Sequence, residues 1–157
     1  MIVTKGRGTR AAGRWFLVAM LAIPFIALGC KGKPEAPPPV VELSIASDGD
    51  FLAFAPDELT CPTGAIIHLT FHHMGKIISA RHDWVLTRPD QLESLTRDDL
   101  KHDGVLPPGD PRVIAATPLC DKGQTVTTQF VAPAPGDYPF LCSTHPEDMR
   151  GVLHVTK

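Results

Sequence analysis

No apolar run in this 157-residue chain reaches the ~20 residues that a transmembrane helix needs. The nearest approach, Trp15 to Leu28, is interrupted by Pro24, so it reads as a processed leader rather than a span. Acidic residues are missing from residues 1–14, which carry Lys5, Arg7, Arg10 and Arg14. Basic residues are scarce where acids are plentiful. From Val40 to Lys157 there are 9 Lys and Arg against 16 Asp and Glu, a balance of −7, although the whole chain is formally −2. A segment this acidic has no basic stripe for nucleic acid, and its charge favours basic protein surfaces as partners. Internal repeats are also absent.

What is present begins with an export device. The leader closes on Ile26-Ala27-Leu28-Gly29-Cys30, which resembles a bacterial lipobox, with Ala27 where leucine is usual. Residues 1–30 are therefore expected to be a lipoprotein-type signal peptide, with Cys30 as the lipid attachment site. An ordinary signal peptide with an incidental Cys30 is the alternative. Both readings put residues 31–157 outside the cytoplasm, in a periplasm or cell envelope. Residues 31–39 are rich in proline and poor in apolar side chains, and form a tether. At ~3.1 Å per residue it would reach up to about 28 Å from a lipid headgroup. The expected folded domain is 40–157.

Within it, short alternating segments separated by Gly, Pro and Asp recur: Val40–Ala46, Asp57–Cys61, Ala65–Phe71, Asp83–Thr87, Arg112–Ala116, Thr125–Val131, Tyr138–Cys142 and Val152–Thr156. Seven or eight strands in this length predict an all-β fold of two packed sheets, a sandwich or barrel. Residues 88–100 break the rhythm. Leu92, Leu95 and Leu100 with polar residues between them predict a short surface helix inserted between strands. Alternation also assigns faces. Tyr138, Phe140 and Cys142 share one, which the aromatic residues mark as interior, and His82 shares another with Trp84 and Leu86.

Cys142-Ser143-Thr144-His145-Pro146-Glu147-Asp148-Met149 places a thiolate, an imidazole and a thioether in one eight-residue loop. A second imidazole has to come from elsewhere, and inward-facing His82 is the candidate. One thiolate, two imidazoles and a weak axial thioether form the ligand set of blue-copper electron-transfer sites, in which soft sulfur suits Cu(I). Taken singly, Cys142 reads as a buried thiol or half-cystine and Met149 as a core residue. Cys-x2-His-x3-Met between an aromatic strand and the last strand favours the copper reading.

These residues are similar to the cupredoxins, closest to the azurin and auracyanin group, over nearly all of residues 41–157. Leu43-Ser44-Ile45, His82-Asp83-Trp84-Val85-Leu86, the helical insertion, Arg112-Val113-Ile114-Ala115, Gly136 through Cys142 and Met149-Arg150-Gly151-Val152-Leu153 follow azurin's order. The resemblance implies a Greek-key β-sandwich with one type 1 copper site at one end. It implies His82 as the first histidine ligand, Cys142 as the cysteine, His145 as the second histidine and Met149 as the axial methionine.

The sequence departs from that pattern in three places. Two residues separate Cys142 from His145, as in plastocyanin-like proteins, whereas azurins have four; His145 and Met149 keep azurin's three. Asp83 replaces the family's usual asparagine beside the metal. Its carboxylate can accept from the Ser143 hydroxyl or amide but cannot donate unless protonated. Arg81 stands where a glycine often presents its carbonyl from the far axial side, and its charge is expected to favour Cu(I). Among other histidines, His154 and His102 read as solvated. His72 and His73, at a strand end near the site, read as surface residues, with proton sensing or partner contact as the alternative. Cys61 and Cys120 are expected about one strand length apart, too far for a disulfide.

The function implied is an extracytoplasmic one-electron carrier cycling Cu(I)/Cu(II). It would not be an enzyme, because nothing resembles a nucleophile with its base or a second metal centre. Expected partners are redox proteins such as c-type cytochromes, oxidases or reductases, with the membrane reached through the lipid anchor, and neither nucleic acid nor a small-molecule substrate. A copper chaperone or storage protein, or a structural sandwich with a vestigial site, are the rival classes.

Overall fold

The computed structural model describes residues 36–77, 80–99, 106–107 and 109–157. The expected signal peptide with Cys30, most of the tether, and Leu100 and His102 of the insertion lie outside the described residues. None of the described helices is long and apolar enough to cross a membrane.

Among the described residues, nine strands form two sheets. One contains β1 (Val40–Ser47), β2 (Phe54–Ala55), β4 (Ile66–His72) and β7 (Thr125–Val131), in the order β2-β1-β4-β7. The other contains β3 (Glu58–Pro62), β5 (Val85–Thr87), β6 (Val113–Ala116), β8 (Gly136–Leu141) and β9 (Arg150–Thr156), in the order β3-β9-β8-β5-β6. β1 runs parallel to β4 and β3 parallel to β9, while the other pairings are antiparallel. Parallel neighbours cannot be joined by a tight hairpin. The chain crosses between sheets to make them, and the result is the expected Greek-key sandwich.

The core follows the alternation. Ile67, Leu69 and Phe71 of β4 are fully buried and the residues between them are not. They join Phe140 and Leu153 of the other sheet, and Trp84 just before β5, in one apolar cluster. Phe54 stands edge-on to both Phe71 and Phe140, at ring distances of 6.0 and 5.2 Å.

β5 does not alternate, because Val85, Leu86 and Thr87 are all buried. The insertion supplies the reason. A 3-10 turn (Pro89–Gln91) leads into helix α1 (Leu92–Asp99), whose Leu95 packs on Val85 and Leu141 across the outer face of the sheet. Covering both faces of a strand turns an alternating pattern into a continuous apolar one. The helix is braced by Arg112, which donates to the Ser94 carbonyl, to Asp98 and through paired bonds to Asp110.

Most strand ends shift from expectation by up to two residues, and one strand was not expected. The two-residue β2 is too short to leave a periodic signal. The strand expected from Asp83 starts at Val85, because the Trp84 amide donates to the Thr117 hydroxyl instead of joining a ladder. His82 pairs instead with Cys120 in an isolated bridge.

Candidate metal centre

The site lies where several strands end together. β8 runs into Cys142, whose amide donates to the Met149 carbonyl; the amides of His145 and Met149 donate to the carbonyls of Cys142 and His145. The eight-residue loop is thus a closed hydrogen-bonded turn, and β9 starts at the next residue. His82 arrives from the other side, held by exchanged backbone hydrogen bonds with Cys120 at 3.1 and 2.9 Å. The Cys120 thiol adds a contact to the His82 carbonyl at 3.3 Å.

The structure brings the donor atoms of His82, Cys142 and His145 within 4.8 Å of one another. The Cys142 Sγ lies 3.5 Å from the His82 Nδ1 and 3.9 Å from the His145 Nδ1. Cys142 and Met149 are completely buried, His82 is nearly so, and His145 alone of the set is half-exposed. Burial pushes the His82 imidazole down to about 4, helped by His73 and His145, and lowers His145 as well. Burial and then the nearby Asp83 push the Cys142 thiol up to about 11. In the metal-free protein at neutral pH the site is therefore a thiol with two neutral imidazoles. A cation that binds here meets unprotonated nitrogen donors and must displace the thiol proton.

Two ties join the loops. Asp83, buried, accepts from the Ser143 amide at Oδ1 and from the Ser143 hydroxyl at Oδ2, both at 2.7 Å. This is the pairing that the aspartate was expected to make. Burial raises its pKa and the Ser143 hydrogen bonds oppose the rise. The second tie is Thr144, whose hydroxyl donates to the Arg81 carbonyl at 2.7 Å and lies 3.1 Å from the Cys142 Sγ. The Arg81 carbonyl is thus already engaged. Arg81's side chain is exposed.

His73 is a correction. It is 2% exposed rather than on the surface, with its ring 4.5 Å from the His82 ring. The Gly75 amide donates to its Nδ1, so its Nε2 carries the hydrogen given to the Ala80 carbonyl. The alternation that buries residues 67, 69 and 71 extends to 73 and could have revealed it. His72 is only half-buried and meets the Thr125 hydroxyl; His154 is also half-buried and bonds to Asp137.

Cys61, Cys120 and Cys142 are free thiols. Cys120 flanks His82, whereas Cys61 stands in register with Val155, six residues beyond Met149. The expected separation of Cys61 and Cys120 holds.

A family model for copper binding proteins of the plastocyanin/azurin family matches residues 41–156. The chain belongs to this family. It is 30% identical to Auracyanin-B of Chloroflexus aurantiacus over 131 residues, 78% of this chain but only 54% of that relative's length. It is 31% identical to Azurin of Methylobacillus flagellatus over 120 residues, covering 69% of this chain and 81% of the azurin. The solved structure of auracyanin A, a "blue" copper protein from Chloroflexus aurantiacus, superposes with a TM-score of 0.68 at 29% identity, covering 74% of this chain and 99% of that one. The donor set fits the family's metal. Soft sulfur and imidazole in a buried pocket suit copper, whereas hard cations require an oxygen cage.

Proposed function

We propose that the protein is a one-electron carrier using a single type 1 copper held by His82, Cys142, His145 and Met149. The observation that carries this reading is the convergence of a thiol and an imidazole, from a loop closed on a buried methionine, with the imidazole of His82 from the opposite side. Copper supplies the Cu(I)/Cu(II) couple when bound, and the chain supplies a prefolded pocket. The Asp83–Ser143 and Thr144–Arg81 ties hold the two ligand loops together, which keeps reorganisation between oxidation states small. His145, half-exposed, is the edge through which an electron reaches a partner.

Four ligands from the chain leave no position for a substrate, so the protein is a shuttle rather than an enzyme. Its acidic domain suits redox partners with basic surfaces, such as c-type cytochromes, oxidases or reductases. We place it outside the cytoplasm, lipid-anchored at Cys30, on the basic and apolar pattern of residues 1–30; mass spectrometry of the membrane-extracted protein and of Cys30→Ala tests that placement. A chaperone or storage protein would expose exchangeable sulfur, whereas both sulfurs here are buried.

The test of the carrier reading is voltammetry of the protein loaded with one equivalent of copper. A reversible one-electron wave without loss of metal to a competing chelator is expected. An irreversible wave with rapid transfer of copper to the chelator would favour the chaperone.

A further inference from the structure

Met149 is followed at once by Arg150, the first residue of β9, whose guanidinium points in two directions. Its Nε donates to the carbonyl of buried Pro146, inside the ligand loop between His145 and Met149. Its Nη2 donates to the hydroxyl of Thr96 at 3.1 Å. Thr96 is a buried residue of α1, 5% exposed, one position after the Leu95 that seats the helix on the sheet. α1 is held from its other side by Arg112 through the Ser94 carbonyl and Asp98. A continuous path of hydrogen bonds therefore runs from the helical insertion to the segment that sets the spacing of His145 and Met149.

We propose that Arg150 is a positioning residue for the metal centre, clamping the Pro146–Met149 segment to helix α1 and so setting the reach of the Met149 thioether. The proposal rests on the copper reading of the site. The rigid fork of the guanidinium is suited to the task, because its nitrogens are fixed in one plane and can hold two acceptors at once. A lysine keeps the charge but offers a single flexible head that cannot reproduce both directions. Cu(II) has a geometric preference for tetragonal coordination, and the axial ligand tunes the potential of such sites. Freeing the loop lets Cu(II) draw its ligands towards that preference. The oxidised state gains and the potential falls.

The electrostatic alternative is that Arg150 acts only as a nearby positive charge. It also lowers the potential in Arg150→Ala, but it predicts no change for substitutions that conserve charge. The decisive variants are therefore Arg150→Lys and Thr96→Val, each copper-loaded, with Arg150→Ala for comparison. We expect all three to shift the Cu(II)/Cu(I) affinity ratio at least about threefold towards Cu(II), a fall of about 28 mV at ~59 mV per tenfold change. The symmetry of the Cu(II) EPR spectrum should change with it. In the double variant Arg150→Ala/Thr96→Val the shifts should fall short of additive, since either change opens the same path. Unchanged potentials and EPR spectra in Arg150→Lys and Thr96→Val, with the wild type intensely coloured, would overturn the clamp while leaving the copper reading intact. A colourless wild-type copper complex would overturn both. Thermal unfolding of the metal-free variants checks that each is folded; Thr96→Val, nearly isosteric, guards against loss of the arginine variants.

Discussion

The Asp83 carboxylate takes both the amide and the hydroxyl hydrogen of Ser143, so the residue after one histidine of the site is bound to the residue after its cysteine. A buried carboxylate in this position does two jobs. It ties two loops, and it places negative charge beside the metal centre.

Asp83→Asn separates these roles. An asparagine oxygen still accepts from the Ser143 amide, and its NH2 can donate to the Ser143 hydroxyl, which turns from donor to acceptor. The tie survives and the charge is lost. One unit charge at ~7 Å is worth about 2 kcal/mol at an effective dielectric of about 20. We therefore expect the reduction potential to rise by several tens of millivolts, up to about 100 mV at ~59 mV per tenfold change. Voltammetry checks this; an unchanged potential would mean that the carboxyl is protonated, and a lower one that the tie itself was disturbed. Arg81→Gln should move the potential the opposite way by less, and added salt should erase the effect because the side chain is exposed.

Much of this site was legible because its chemistry is local. Cys142, His145 and Met149 share one loop, and parity turns both Cys142 and His82 inward, so short-range pattern pointed to the group of His82, Cys142 and His145 that the fold brings together. The Asp83–Ser143 bond was also foreseeable, since a carboxylate there has little to do but accept. His73 lies one residue past the end of β4, where strand parity need not hold, yet it keeps the inward phase of residues 67, 69 and 71. Thr144 on the Arg81 carbonyl and Arg150 on Thr96 were not legible. They join residues 63 and 54 positions apart through side-chain directions that only the folded loops define. The all-buried β5 was not legible for a related reason: a helix later in the chain covers its second face.

The thiol count tests strand placement. With Cys120 at the site and Cys61 in register with Val155, no bridge can form, because a disulfide requires Cα atoms within ~7 Å. Titration of the unfolded, metal-free protein lacking Cys30 should find three thiols. Finding one would mean that Cys61 and Cys120 are paired and the register is wrong.

The Asp110–Arg112 pair gives a pH dependence with a definite sign. Hydrogen bonds from the Arg112 guanidinium hold the Asp110 carboxyl below its ordinary range. A depressed folded-state pKa contributes stability that is present above the unfolded value, near pH 4, and is lost as pH falls through the folded one. Asp110→Asn should therefore cost about 1.5–3 kcal/mol near neutral pH, the range for hydrogen bonds to charged groups. That difference should shrink as the pH is lowered to about 2. Urea unfolding of the metal-free protein at both pH values measures it, and a difference independent of pH would show that the pair's charge is not what stabilises the α1 end of the fold.

The central claim is that Cys142, with His82 and His145, binds copper as a thiolate. The most direct measurement is the visible spectrum of the protein with one equivalent of Cu(II), recorded beside Cys142→Ser. The account predicts an intense blue or green thiolate-to-copper charge-transfer band in the wild type and its loss in the variant. A wild-type complex that binds one copper yet stays colourless, or a variant that keeps the band, would contradict it.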